Sequence, residues 1–544
     1  MPRWYRYIKS DVWQVFRRNA NSEGILRADT AIKSIVIVGG GTAGWLAANY
    51  LARCLKAGPG DDFSITLIES PDIPTIGVGE GTVPSMRQTL KFLGISETEF
   101  IRECDATFKQ SIEFVDWLHV PKDGKHHRYY HLFDDPIRQD FDLTPYWLKG
   151  CAGATNYADA VSMQSLFCDQ SRGPKHITTP EYEGASGYAY HLDAVKFAKL
   201  LTRHATERHS VRHLLGNVTQ VVVKDNGHVD YLDTDRCGRL QADFYVDCSG
   251  FASLLVGGAL GVPFIDKGGE LFVDHAVAIQ VPYADPEGPI ASQTISTARD
   301  AGWIWDIGLS ARRGTGYVYS SKYTDHDTAE QVIRDYIGPA ADELPCRKIP
   351  MRIGYRETFW QGNCVAIGLS QGFIEPLEAT ALLMVDGACR MLAEQFPTDS
   401  AALDGAAKRY NRLLRYGYDR VIDFIKLHYY LSRRDDSAFW IDNRRAETVS
   451  DHLLERLDQW RYAPPSAYDF FSKFEVFNLE NYLYVLYGMD FVTDMASHGA
   501  RYPEDEAARR LFDQIRQARN NAAVQMPDHR GLIDKIHKFG LQKT

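Results

Sequence analysis

Ile35-Val36-Ile37-Val38-Gly39-Gly40-Gly41-Thr42-Ala43-Gly44-Trp45 sets an apolar, β-branched run directly before a glycine cluster, and an apolar helical pattern continues from Trp45 to Leu55. The order is strand, glycine turn, helix. Gly39, Gly41 and Gly44, with Thr42 and Ala43 between them, permit a tight turn, bring backbone N–H groups close to a diphosphate and let the helix pack tightly on the strand. A second strand, Ser64 to Ile68, ends on Glu69, about where a βαβ unit places the acid that holds a ribose. A glycine fingerprint alone is a weak signal, and an ordinary glycine-rich turn is the plain alternative. With a strand before it, a helix after it and Glu69 in place, it predicts dinucleotide binding.

Working outward, Val218–Lys224 and His228–Thr234 flank Asn226-Gly227, a dipeptide that predicts a hairpin with a type I′ turn. A third strand is predicted over Leu240–Asp247, ending at Cys248-Ser249-Gly250, so that a β-meander feeds back into the dinucleotide sheet. Cys364–Gly368 reads as a further buried strand, followed by a helix from about Pro376 to Phe396 with proline in its first turn. Asp247 and Gly368, at the ends of these strands, are expected at the cofactor. Beyond 396 the chain reads as mostly helical, with Tyr-rich amphipathic stretches such as Tyr410–Tyr430. The predicted fold is α/β: a glutathione-reductase- or monooxygenase-like, Rossmann-type FAD domain with a β-meander insertion and a helical C-terminal cap. The FAD domain is discontinuous, at 34–110, 190–265 and 360–396. Substrate-side insertions occupy 111–189 and 266–359, and the cap occupies 397–544. This interrupted layout favours FAD over NAD, whose domain is usually contiguous.

The chain has 544 residues, 44% hydrophobic and 24% charged, an ordinary globular composition and enough for several units of about 150 residues. A net charge of −10 offers no basic field for nucleic acid or anionic lipid. Nine cysteines without a C-x-x-C pair or zinc spacing predict reduced thiols, a cytoplasmic protein and no metal site. No run of about 18 apolar residues predicts a membrane span. Residues 1–33 read as an N-terminal extension. Trp4, Tyr5, Tyr7, Trp13 and Phe16 interleave there with positive charges, so a small surface-binding helix is the second reading.

Several further stretches resemble one family in order. Ile76-Gly77-Val78-Gly79-Glu80-Gly81-Thr82-Val83-Pro84, Ala106-Thr107-Phe108-Lys109, Tyr130-His131-Leu132-Phe133, Trp303-Ile304-Trp305-Asp306-Ile307, Glu375-Pro376-Leu377-Glu378 and Ser432–Trp440, together with the glycine turn, resemble the motifs of flavin-dependent tryptophan halogenases over about residues 34–490. The resemblance implies that Val78, Gly79 and Glu80 belong to a strap along the flavin and that Lys109 is the active-site lysine. It also implies that His131 and Phe133 line an aromatic substrate site and that Trp303 and Trp305 keep substrate away from the flavin. Reduced flavin and oxygen turn a halide into hypohalous acid, which a lysine can hold or carry as a haloamine and which a carboxylate can polarise while taking the ring proton. Lys109 and Glu378 are the catalytic candidates, and the N–H groups at Thr380 and Ala381 the halide site.

Each candidate has a plainer reading. Lys109 alone would be a solvated surface lysine, Glu378 a residue complementing a helix dipole in its first turn, His131 a satisfied core histidine and the two tryptophans one face of a strand. An unperturbed lysine is neutral in only roughly one molecule in 2,500 at pH 7, so haloamine chemistry favours burial. A nearby Glu378 opposes it, and haloamine and hydrogen-bonded hypohalous acid both stay open. Three positions depart from the family pattern: Ala379 and Ala381 stand where serine and glycine are usual, and Gly308 replaces the proline after the tryptophans. The tyrosine pair and acid that hold the amino-acid end of tryptophan are matched only loosely, by Tyr468, Asp469 and Glu475, so indole is expected to be a better substrate than free tryptophan. The expected partners are a separate flavin reductase supplying FADH2, a small aromatic substrate, chloride or bromide and, as a homodimer, a second copy of the chain. The competing readings are an FAD-dependent aromatic monooxygenase and a flavin-binding redox protein that does not halogenate.

Overall fold

The computed structural model describes residues 30–56, 63–73, 77, 79–138 and 141–543. Residues 1–29, most of the expected extension, and Val78 of the strap lie outside them. A six-stranded sheet carries the glycine turn. Its order is Trp360–Gln361, Cys364–Ala366, Phe244–Asp247, Ser34–Val38, Ser64–Glu69 and Arg212–Leu215, parallel throughout except for the first pair. Its strands are apolar because helices cover it. The helix Thr42–Leu55 packs against both Ala194–His209 and Thr380–Glu394. Trp45, Leu46, Tyr50 and Leu51 of that helix are fully buried, each contributing about 1.5–3 kcal/mol relative to an exposed side chain.

Two expectations about the meander are corrected. Asn226 keeps negative φ and only Gly227 is left-handed, at φ 80°, so the hairpin turn is not type I′. Gly227 N–H closes on Lys224 C=O, a type I turn followed by a left-handed glycine, which accommodates three loop residues rather than two. The single strand expected over Leu240–Asp247 is two. Arg239–Gln241 completes a three-stranded meander with Val218–Val223 and Val229–Thr234, whereas Phe244–Asp247 joins the parallel sheet.

A seven-stranded sheet forms the second layer, in the order Arg347–Pro350, His275–Pro282, Arg312–Tyr319, Gly302–Gly308, Thr294–Arg299, Ser111–Val115 and Arg128–Leu132. A small sheet packs against the seven-stranded one, and in it Ala189–Asp193 pairs on one side with Gly79–Gly81 and on the other with Thr107–Lys109. The chain passes from Lys109 almost directly into the large sheet at Ser111. The C-terminal helices close over this junction: Leu403–Leu431 runs 29 residues, and Leu479–Gly488 packs on the edge strand Arg128–Leu132. Among the described residues no helix is long and apolar enough to cross a membrane, and all nine cysteines are free thiols.

Candidate active site

Two neighbouring cavities, both bordered by Met384, lie at this junction. The larger, about 790 Å³, opens at the C-terminal edge of the parallel sheet, where such sheets bind ligands. Gly39 has φ 114°, and a Cβ there would stand 2.2 Å from Cys248 O. A Cβ on Gly44 would stand 1.9 Å from Gly39 O, so both positions exclude side chains because backbone occupies the space. Gly41 is different: nothing lies within 4 Å of the Cβ it lacks, and it borders the cavity. Gly41 begins the helix without a side-chain cap, leaving unpaired N–H groups at a positive helix end. Glu69 packs against Gly40, pairs with His213 Nε2 at 3.0 Å and lines the same cavity. These residues fit the diphosphate and ribose of a dinucleotide, and the volume suits a cofactor of flavin size.

Thr42, Ala43, Gly79, Glu80 and Gly368 also border this cavity. Burial, reinforced by Asp193, pushes the Glu80 carboxyl up to about 7. Asp247 does not line the cavity, and this expectation is corrected. Its carboxylate is fully buried and accepts N–H bonds from Ser249, Leu255 and Val256 at 3.1, 2.9 and 2.9 Å. It ties down the loop 249–252, which does face the cavity.

Lys109 is completely buried and borders the larger cavity. Its Nζ donates to Thr82 O at 3.1 Å and lies 5.3 Å from the centre of the Phe133 ring. A Cβ on Gly81 would come within 3.2 Å of that nitrogen, so the strap glycine leaves the amine room. Burial lowers the Lys109 pKa to about 7, against the pull of Glu378. The neutral amine is therefore accessible near neutral pH.

Phe133, His131 and Glu378 line the smaller cavity, of about 220 Å³. The expected helix from Pro376 is broken, because Pro376–Glu378 is a 3₁₀ turn, Ala379 is left-handed at φ 54° and the α-helix begins at Thr380. Glu378 therefore does not sit in the helix's first turn. Pro376, Leu377, Ala379, Thr380 and Ala381 face the larger cavity while Glu378 faces the smaller. Its Oε2 accepts from His131 Nδ1 at 2.8 Å. His428 Nε2 lies 3.0 Å from Oε1. Burial alone would raise the carboxyl, but the N–H groups that His131 and His428 turn toward it lower it and favour the ionised form of Glu378.

The network fixes the proton positions on the two imidazoles. Asn481 Oδ1 accepts from Asn478 N–H, so Asn481 Nδ2 faces His131 Nε2 at 2.9 Å and donates to it. His131 Nε2 is then the acceptor and Nδ1 the donor to Glu378. Burial lowers the His428 pKa, and Tyr129 O–H stands 2.7 Å from its Nδ1. A neutral His428 with its proton on Nε2 faces Glu378.

Trp303 and Trp305 lie on one face of Gly302–Gly308 and both border the larger cavity. Trp303 Nε1 donates to the buried Glu375 at 2.9 Å, and the Trp305 ring covers Gly316, where a Cβ would stand 2.0 Å from it. Thr380 and Ala381 border the same cavity, and the buried Thr380 Oγ1 has no partner among the described residues.

The tryptophan halogenase family model matches residues 34–504. The chain belongs to the tryptophan halogenase family. This halogenase is 35% identical over 521 residues to 7-chloro-L-tryptophan 6-halogenase KtzR of Kutzneria sp., a match covering 91% of this chain and 98% of that protein. The crystal structure of a tryptophan halogenase from Shewanella frigidimarina shares 42% identity with a TM-score of 0.90, covering 94% of this chain and 99% of that one. Tryptophan 6-halogenase SttH of Streptomyces toxytricini shares 34% identity with a TM-score of 0.85, covering 92% and 99%. The chain is thus a flavin-dependent halogenase enzyme, and neither direct hydroxylation nor a flavin-only role is favoured.

The loosely matched clamp does not assemble in this halogenase. Tyr468 is 92% exposed. Asp469 turns to Ser466 N–H and Trp460 Nε1. Glu475 borders the smaller cavity but is held by Tyr416 O–H at 2.6 Å and Arg456 at 3.3 Å. Two site residues escaped the sequence reading. His428 lies within the 29-residue cap helix with no local motif around it. Asn481 follows Asn478 at the spacing of a reciprocal helix cap, which marks a helix start but not a contact to His131.

Proposed function

We propose that this enzyme halogenates an indole ring held in the smaller cavity, with FAD in the larger one and Lys109 and Glu378 acting between them. Bound reduced FAD, with dioxygen, supplies the oxidising power that converts chloride or bromide to hypohalous acid. The positive end of the helix beginning at Thr380 holds the halide, with Thr380 and Ala381 N–H groups as donors. Trp303 and Trp305 wall the cofactor side, and the neutral amine of Lys109 accepts the halogen from hypohalous acid, releasing water. The haloamine then passes halogen to the ring carbon, and the ring proton returns to the amine through Glu378. His131 and His428 keep Glu378 ionised for that task.

The observation that carries this reading is the placement of Lys109, buried and lining the larger cavity, with its amine 5.3 Å from the centre of the Phe133 ring in the other. Segments 34–110, 190–265 and 360–396 would carry the cofactor, 111–189 and 266–359 the substrate side, and 397–544 the cap. A separate reductase would deliver FADH2 in the cytoplasm, where the nine free thiols would stay reduced. The test is incubation of the purified enzyme with a flavin reductase, FAD, NADH, bromide or chloride, and indole, followed by mass spectrometry. Halogen isotope patterns in the product are expected, and hydroxylated product alone would defeat the proposal.

A further inference from the structure

The charges around the smaller cavity are one-sided. Asp134, Asp135, Glu378, Glu475 and Glu480 all line it, and Arg390 is the one lysine or arginine among its described lining residues. Arg390 is engaged along its own helix and across from it: Asp386 lies one turn before and Glu394 one turn after, both electrostatically coupled to it, and Nη2 is 3.4 Å from Tyr50 O–H. The cations that balance Glu475 and Glu480 are Arg456 and Arg138, at 3.3 Å each. Neither borders the cavity. Asp134 accepts from Ser186 Oγ at 2.9 Å and Gly187 N–H at 2.6 Å. Lys109 borders the other cavity, and burial lowers its pKa.

A ligand carboxylate entering this space would leave water and meet mostly like charge, and the one lining lysine or arginine among the described residues, Arg390, is already shared with Asp386 and Glu394. An unpaired charge under burial is strongly disfavoured, and like charge on the walls selects against a ligand as effectively as a clash. An ammonium group meets the opposite situation, since carboxylates surround it. From this charge pattern we infer that the substrate is an indole bearing an alkylammonium group and no carboxylate, an indole-ethylamine in class rather than a free amino acid. The inference rests on the reading that the smaller cavity holds the indole, and it concerns recognition rather than chemistry.

Isothermal titration of the FAD-loaded enzyme with indole, tryptamine, tryptophan and indole-3-propionate separates the contributions, because the four share one indole ring and their side chains carry no charge, a positive charge, both charges and a negative charge. Tryptamine is expected to bind at least tenfold tighter than indole-3-propionate, with tryptophan between them. Equal affinities, or tryptophan or indole-3-propionate binding more tightly than tryptamine, would overturn the inference. Halogenated product, measured on the same four compounds, tests the underlying reading separately: the expected binding order without halogen incorporation into any of them would overturn the indole halogenation proposal while leaving the charge preference standing. Glu480→Gln and Asp135→Asn each remove one negative charge and should narrow the tryptamine-to-propionate ratio several-fold. An unchanged ratio in both variants would also overturn it.

Discussion

The two cavities share the segment 376–384 as a wall, yet they are built from different material. The larger is shaped by main chain: the glycine turn at 39–44, the loop 249–252 tied down by Asp247, and a bare helix end. The smaller is shaped by side chains from distant segments, with His131, Glu378, His428 and Asn481 linked end to end. Backbone recognition of a diphosphate tolerates sequence change wherever glycine is kept, whereas a side-chain network fails when one member is lost. Variation in substrate among relatives of one fold is therefore expected to be concentrated in the smaller cavity.

The sharpest way to break this division is Lys109→Ala. Product should fall by about a thousandfold or more, in the range for loss of a covalent catalytic group, while oxidation of reduced flavin continues within about twofold. Product per flavin oxidised measures it, and an unchanged yield would defeat the relay. Gly41→Asp tests the other side. Because its Cβ would meet nothing, the chain should fold normally, but an anion placed toward the diphosphate should weaken FAD binding by about a hundredfold or more. Full affinity by titration would remove the diphosphate from that turn.

Glu378→Gln should slow halogenation by roughly ten- to a hundredfold, the range for loss of an acid–base group. It also sharpens the role of Lys109. Halogenation that needs the neutral amine rises with pH through about 7. Glu378 supports the ammonium form, so removing its charge lowers the lysine pKa further and moves the midpoint to lower pH. A midpoint that stays or moves up would contradict the assignment. The smallest effect on rate is expected for Trp303→Phe, which keeps the ring wall but removes a donor from buried Glu375. Stability should fall by about 1–3 kcal/mol, measured by denaturant unfolding, with turnover changed by no more than a few-fold.

The same division decides what could be read from sequence. The glycine turn, Glu69 and the strap are local patterns, and their geometry follows from the order of residues over a few turns of chain. Lys109, Glu378, His131 and Phe133 were legible only because short stretches around them resembled a family. The break at Ala379 was not legible, since alanine gives no warning of a left-handed conformation. Asp247 looked like a cofactor ligand because it ends a strand at the sheet's ligand edge, where loop anchoring and ligand binding give the same sequence signal. His428 and Asn481 reach Glu378 from the cap helices, and contacts between distant segments leave no spacing to detect.

The parallel sheet has a consequence for biosynthesis. Ser34–Val38 finds one neighbour in Ser64–Glu69, but its other neighbour is Phe244–Asp247, which in turn waits for Cys364–Ala366. At translation rates of about 5–20 residues per second, the sheet cannot close for roughly twenty seconds to a minute after its first strand leaves the ribosome. Until Phe244–Asp247 emerges, roughly ten to forty seconds after the first strand at those rates, Ile35, Val36, Ile37 and Val38 present an apolar strand with one edge unpaired, a template for mispairing with other nascent chains. Abundant holdase chaperones should therefore raise the soluble yield of this enzyme more than that of a protein whose sheet is built from consecutive strands.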